Sequence, residues 1–136
     1  MSAASWALQQ AVFAALAASD AVKAVAGDPP RVFDVVPRGT AFPYIVIGDD
    51  VEADWSTQTS SGSSHILTIH IWSRAAGRRE TRLAAQAVID ALDGAALTLD
   101  GQALIDLRWQ DAQALPEADG ETIHARLRFR ALLEPQ

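Results

Sequence analysis

This sequence predicts an α+β fold: a mainly antiparallel sheet of four to five strands, with two main helices packed on one face, in the order α-β-β-β-α-β-β. Three observations predict it. The alternating run His65–Ser73 is followed within a few residues by the amphipathic stretch Arg79–Leu92, so the apolar period lengthens from strand-like to helix-like. Two further alternating runs, Leu104–Ala114 and Glu121–Leu133, flank the turn Pro116-Glu117-Ala118-Asp119-Gly120 and close the chain. An alanine-rich helical stretch opens it. The 136 residues show no internal repeat or linker, so residues 1–136 are expected to form one domain.

The first helix is expected from Met1 to Ala18, with Trp6, Gln9, Gln10, Phe13 and Leu16 at helical spacing and Leu8, Val12 and Ala15 beside them. Ser2 or Ser5 can cap its start. Ser19 can cap a short second piece, Asp20–Ala26, which Gly27 ends. Asp28-Pro29-Pro30 then forces an extended connection, because proline fixes φ and disfavours helix before it. Arg31–Val36 reads as a short strand and Phe42–Trp55 as a longer one, with Gly48 at a bulge. Its second half turns acidic, with Asp49, Asp50, Glu52 and Asp54. The stretch 56–64 has nothing to bury. It is expected to be a mobile hairpin tip carrying Ser56, Thr57, Thr59, Ser61, Gly62 and Ser64. In His65–Ser73, Leu67, Ile69 and Ile71 share one face, and Ile66, Thr68, His70 and Trp72 the other. The following helix has the stripe Leu83, Ala84, Ala87, Val88, Ala91 and Leu92, and Gly94 stands where a helix-ending glycine belongs. In the last strand Ile123, Ala125, Leu127, Phe129, Ala131 and Leu133 oppose His124, Arg126, Arg128 and Arg130. In its partner Ile105, Leu107 and Trp109 oppose Asp106, Arg108 and Gln110.

Composition excludes several classes. The formal charge of −6 argues against a nucleic-acid-binding domain, which needs a basic footprint, and against docking on anionic lipid. No cysteine is present, so disulfides, thiol nucleophiles and thiolate metal sites are excluded. The N-terminus has no basic n-region, and no apolar run approaches the ~20 residues of a membrane span. The expectation is a soluble protein made in the cytosol, without cofactor.

Catalytic chemistry finds no support. His65 and His70 are five apart on one strand and point to opposite faces, His124 lies on another strand, and no H-E-x-x-H spacing exists. All three are expected to be structural. Asp50, Glu52 and Asp54 share a strand face without the glycine turn of a calcium loop, so a solvated acidic strip is the simpler reading. The serines of 56–64 stand in no G-x-S-x-G elbow, and no phosphate-binding glycine loop is present. The least routine feature is the joint between strand and helix. It carries Arg74, Arg78, Arg79 and Arg82, three of them at a helix N-terminus where the dipole disfavours cations. Two readings stand: a solvated end, or a surface that meets the acids Asp49–Asp54 or 116–121 of an identical copy. Arg126, Arg128 and Arg130 form a second basic row, open to pairing with Asp106 across the last hairpin.

The ordered set of motifs is familiar. V-F-D-V-V-P at Val32–Pro37 is followed by P-Y-I-V-I-G-D-D at Pro43–Asp50, a polar loop, and H-I-L-T-I-H-I-W-S-R at His65–Arg74. A helix ending A-L-D-G and the final H-A-R-L-R-F-R-A-L-L-E-P at His124–Pro135 complete it. The whole chain resembles the tail terminator, or tail completion, family of long-tailed phages and gene transfer agents. The resemblance implies a virion structural protein, not an enzyme. It implies a homo-oligomer, typically a hexameric ring, on the head-proximal end of the tail tube. The ring would stop tube polymerisation and dock the tail to the head connector or stopper protein, with DNA passing through the lumen without specific binding. It also implies assembly in the bacterial host cytoplasm. A neighbouring head–tail connector or stopper ring is the alternative within that class, and a small soluble binding module or enzyme the alternative outside it.

Overall fold

The computed structural model describes residues 2–136; Met1, the expected first residue of the opening helix, lies outside the described residues. The chain runs α1 (Ala3–Ala18), α2 (Asp20–Ala26), β1 (Val32–Phe33), β2 (Tyr44–Asp54), β3 (Ser63–Ser73), α3 (Arg79–Leu92), β4 (Gln102–Pro116) and β5 (Ile123–Pro135). The five strands form one sheet in the order β1-β2-β3-β5-β4. Pairings within β2-β3-β5-β4 are antiparallel, as expected, whereas β1 pairs parallel with β2, so the sheet is mixed at that edge. The crossing from β1 to β2 passes through Pro37 and Gly39 and returns the chain in the same direction.

Local chemistry explains the helices. The Ser2 hydroxyl accepts from the Ser5 N–H and caps α1, and Ser19 does the same for α2 by accepting from Val22 N–H. Gly27 ends α2 with φ 93°, a backbone region that glycine enters without steric cost. In α1 the buried side is Leu8, Val12 and Leu16, all fully inaccessible. Trp6 and Phe13, expected in the apolar stripe, are each 47% exposed and form one wall of a groove with Pro29, Pro30 and Phe33. In α3 the same correction falls on Leu83, which is 45% exposed while Thr81, Ala84, Val88 and Leu92 face the core.

Leu67, Ile69 and Ile71 of β3 and Leu127, Phe129, Ala131 and Leu133 of β5 form the centre of the core beneath the helices. The other sheet face carries no helix among the described residues, so its side chains are half-buried or exposed. Three irregularities decide which residues reach which face. The register of β2 on β3 shifts between Ile47 and Asp50, placing the expected bulge at Gly48. In β4, shifts lie between Leu104 and Asp106 and between Trp109 and Asp111. The first shift takes Ile105 out of the expected alternation and leaves it 49% exposed, while Leu107 and Trp109 keep the core-facing register opposite Ala131 and Phe129, Leu107 buried and Trp109 39% exposed. The expected strand Arg31–Val36 shrinks to two residues, since Asp34 bonds the Val35 N–H with its own side chain instead of leaving it to a ladder.

Candidate functional site

The arginine joint divides in two. Arg74 is committed within the chain. Its Nε lies 3.2 Å from Glu121 Oε1 and donates to the Thr122 hydroxyl at 3.1 Å, and its guanidinium sits 4.5 Å over the Phe42 ring. It also approaches Asp119, whose carboxyl is held down to about 2 by the Thr122 hydroxyl, by the backbone N–H groups of Glu121 and Thr122, and by Arg74 itself. The joint thus clamps the β4–β5 hairpin tip onto the end of β3. Sequence spacing hid this, because Arg74 and its partners at the hairpin tip stand more than forty residues apart. Arg78, Arg79 and Arg82 are different. They are exposed, make no ion pair among the described residues, and line a shallow depression with Leu83. Arg78 and Arg82 also border Ala112, Gln113 and Ala114 of β4.

The acidic strip is split by the Gly48 bulge. Asp50 reaches the helix face, where its Oδ2 accepts from the Ser5 hydroxyl at 2.6 Å and lies 2.7 Å from His65 Nδ1. His65 is fully buried, and its Nε2 lies 2.9 Å from the Ser63 hydroxyl, so both ring nitrogens are used. Glu52 follows on the same face and accepts from the Ser2 hydroxyl. These carboxylates stand at the N-terminus of α1, which has no acid of its own in the first turn, and they complement the positive end of its dipole. Asp50, Glu52 and His65 are the one group among the described residues whose possible metal-ligating atoms converge, within 4.8 Å of one another. The Ser5 hydroxyl donates to Asp50 Oδ2 and the Ser2 hydroxyl to Glu52, while Asp50 Oδ1 is buried without a hydrogen-bond partner, and the group pins α1 to β2 and β3. Asp49, Glu52 and Asp54 remain exposed.

The basic row on the helix-free face meets Asp111 and not Asp106. Arg128 forms a forked pair with Asp111, which holds the Asp111 carboxyl below its ordinary range and the Arg128 guanidinium above its own. Arg126 donates to Gln113 at 2.8 Å, while Asp106 takes Arg108 of its own strand. Two residues up the same face, His70 Nδ1 lies 2.7 Å from His124 Nε2, and Trp72 stacks on His124 at 3.8 Å. His124 Nδ1 also lies 3.2 Å from Glu117. Burial pushes both histidines below the usual range; His124 and Arg126 add to this at His70, while Glu117 opposes it at His124. Gly48 belongs to this cluster, since a Cβ there would stand 2.7 Å from the His70 ring.

The serine-rich tip is shorter than its composition suggests. Ser63 and Ser64 join β3, and the remainder forms a compact turn in which Thr57 N–H donates to Ser60 O, Ser56 Oγ bonds Asp54, and Trp55 packs on Gly62. No helix among the described residues is long and apolar enough to cross a membrane.

Comparison with known proteins agrees with this architecture. A family model described as tail completion protein gp17 matches residues 10–134. The chain is 28% identical to the tail completion protein gp17 of Bacillus phage SPP1 over 89 residues, 65% of this chain and 66% of that protein, just under two thirds of its length. It is similar to a chain in the structure of the virion of a native gene transfer agent particle, with a TM-score of 0.89, 35% identity and 96% of each chain covered. The family match runs from within α1 to the end of β5, and the chain belongs to the tail completion protein gp17 family of tail structural proteins.

Proposed function

We propose that this protein forms a ring, a hexamer, on the head-proximal end of the finished tail tube. There it ends tube polymerisation and presents a docking surface to the head connector or stopper protein, and DNA crosses its lumen at ejection. The observation that carries this reading is the likeness over 96% of the chain to a component of a gene transfer agent virion. The formal charge of −6 suits a conduit, because tight binding of the phosphate backbone would hold the DNA in transit. In this reading the chain is a structural component and not an enzyme, and it works at the head–tail junction after assembly in the host cytoplasm. The unpaired arginines Arg78, Arg79 and Arg82 meet the acids Asp49, Glu52 and Asp54 of a neighbouring copy, an arrangement in which one patch meets a different patch. The tip at 56–62 orders further against a neighbour or the tube.

Deleting the gene tests the reading. Overlong tails, or tails left unjoined to heads, are the expected result. Finished tails of normal length beside heads that leak DNA would instead assign the chain to a stopper ring, and unaltered particles would remove it from the junction.

A further inference from the structure

The two long sides of the sheet are both unfinished, and their chemistries fit each other. On one side β1 covers only Ile45 and Val46, so from Ile47 to Asp54 the outer edge of β2 has no partner strand among the described residues. On the other side β4 pairs with β5 alone; the turn after α3 bonds its outer edge at Leu107 O and Trp109 N–H, and from Ala112 to Leu115 that edge meets no further strand among the described residues. An unpaired edge is a row of N–H and C=O groups ready to accept another strand. Side chains on each edge are arranged by face. Glu52 and Asp54 pair in register with His65 and Ser63 and so share the helix face of the sheet. On that same face Arg78 and Arg82 overhang Ala112 and Ala114 of β4. Val51 pairs with Ile66, and Leu115 with His124, which places both on the helix-free face. Val51 is 64% exposed and Leu115 49%.

Joining two sheets edge to edge preserves their faces. Acids on the helix face of one edge would then meet arginines on the helix face of the other, and an apolar residue would meet an apolar residue on the reverse side. We propose that the free half of β2 in one copy adds to the outer edge of β4 in the next, so that each subunit interface is a continued sheet. This rests on the ring reading and specifies its contact. Such a contact is head-to-tail and leaves no edge open once the ring closes. The charges steer and fix the register, while the backbone ladder and the Val51–Leu115 side hold the contact.

The absence of native cysteine makes the test clean. Tails would be purified from hosts making the double variant Val51→Cys with Leu115→Cys, or either single variant, and treated with a flexible bismaleimide. A ladder of cross-linked multimers in the double variant, with monomer only in each single variant, is the expected result. Rings intact by native mass that yield only monomer bands would overturn the edge contact and leave the ring standing. Failure of the chain to join tails or to form any multimer would overturn both. Amide hydrogen exchange on the unmodified protein gives a reading free of substitutions. Gly48–Asp54 and Gln110–Leu115 should exchange more slowly in tails than in the free chain, and equal rates in assembled rings would contradict the contact.

Discussion

At the residue scale the informative side chains are polar ones taken out of water and given partners. Both ring nitrogens of His65 and the Oδ2 of Asp50 illustrate this, whereas Asp50 Oδ1 is buried without a partner. Asp50→Ala would leave a fully buried imidazole nitrogen and the Ser5 hydroxyl without their partner, and should cost about 1–3 kcal/mol in a denaturant melt. The histidine pair on the other face gives a pH signature. Burial holds His70 and His124 below the ordinary histidine value, so between pH 7 and 5 the unfolded chain binds more protons than the folded one. Stability should therefore be level above neutral pH and fall as the pH drops through about 6.5. His70→Gln should flatten that fall, as read from thermal midpoints across the range; an unchanged slope would remove the pair as its source. Asp119 acts in the same direction lower down: its low value adds stability above the ordinary aspartate range, and this is lost as pH falls toward 2. Sequence spacing reached few of these contacts. Arg74 with Glu121, His65 with Asp50 and His70 with His124 are each brought together by strand pairing between distant segments, and a single sequence carries no sign of that pairing.

At the element scale far more was legible in the sequence, because periodicity and caps are local. Ser2, Ser19 and Gly27 mark the helix ends, and α3 begins and ends at the expected Arg79 and Leu92. The losses occur where a strand departs from period two. The bulge at Gly48 was legible as a glycine in an apolar strand, but its consequence was not: it moves Asp50 to the helix face and lets the His70 ring approach the backbone. Gly48→Ala should destabilise the domain by about 1–3 kcal/mol, since the new methyl would also stand 3.0 Å from Thr68 O. The bulge of β4 at Ile105 carries no glycine, so nothing in the sequence announced that Ile105 leaves the apolar face of its strand. Width of the apolar stripe misled in the helices, where Leu83 and Phe13 match the period yet lie past the edge of the buried face. Ile69→Ala, at a site with no exposure, should cost about 2–5 kcal/mol, whereas Leu83→Ala should change stability by no more than about 0.5 kcal/mol. Equal losses in a chemical melt would contradict the assignment of faces.

At the scale of the whole molecule, stability and assembly are expected to respond in opposite directions to the same charge. Arg79 opens α3, where a cation opposes the helix dipole. Arg79→Glu should leave the isolated domain unchanged or up to about 1 kcal/mol more stable at low salt, yet weaken subunit association; a variant that assembles as before would remove Arg79 from the interface. The sheet edges suggest a structural basis for this behaviour: acids line the half of β2 beyond β1, and Arg78 and Arg82 stand over the end of β4 that meets no further strand among the described residues. The measurement that reaches the central claim most directly is an image, by electron cryomicroscopy, of the particle that contains this chain. The expected result is a ring of copies seated between the last layer of the tail tube and the head connector. Density for the chain elsewhere in the particle, or as single copies without a closed ring, would contradict it.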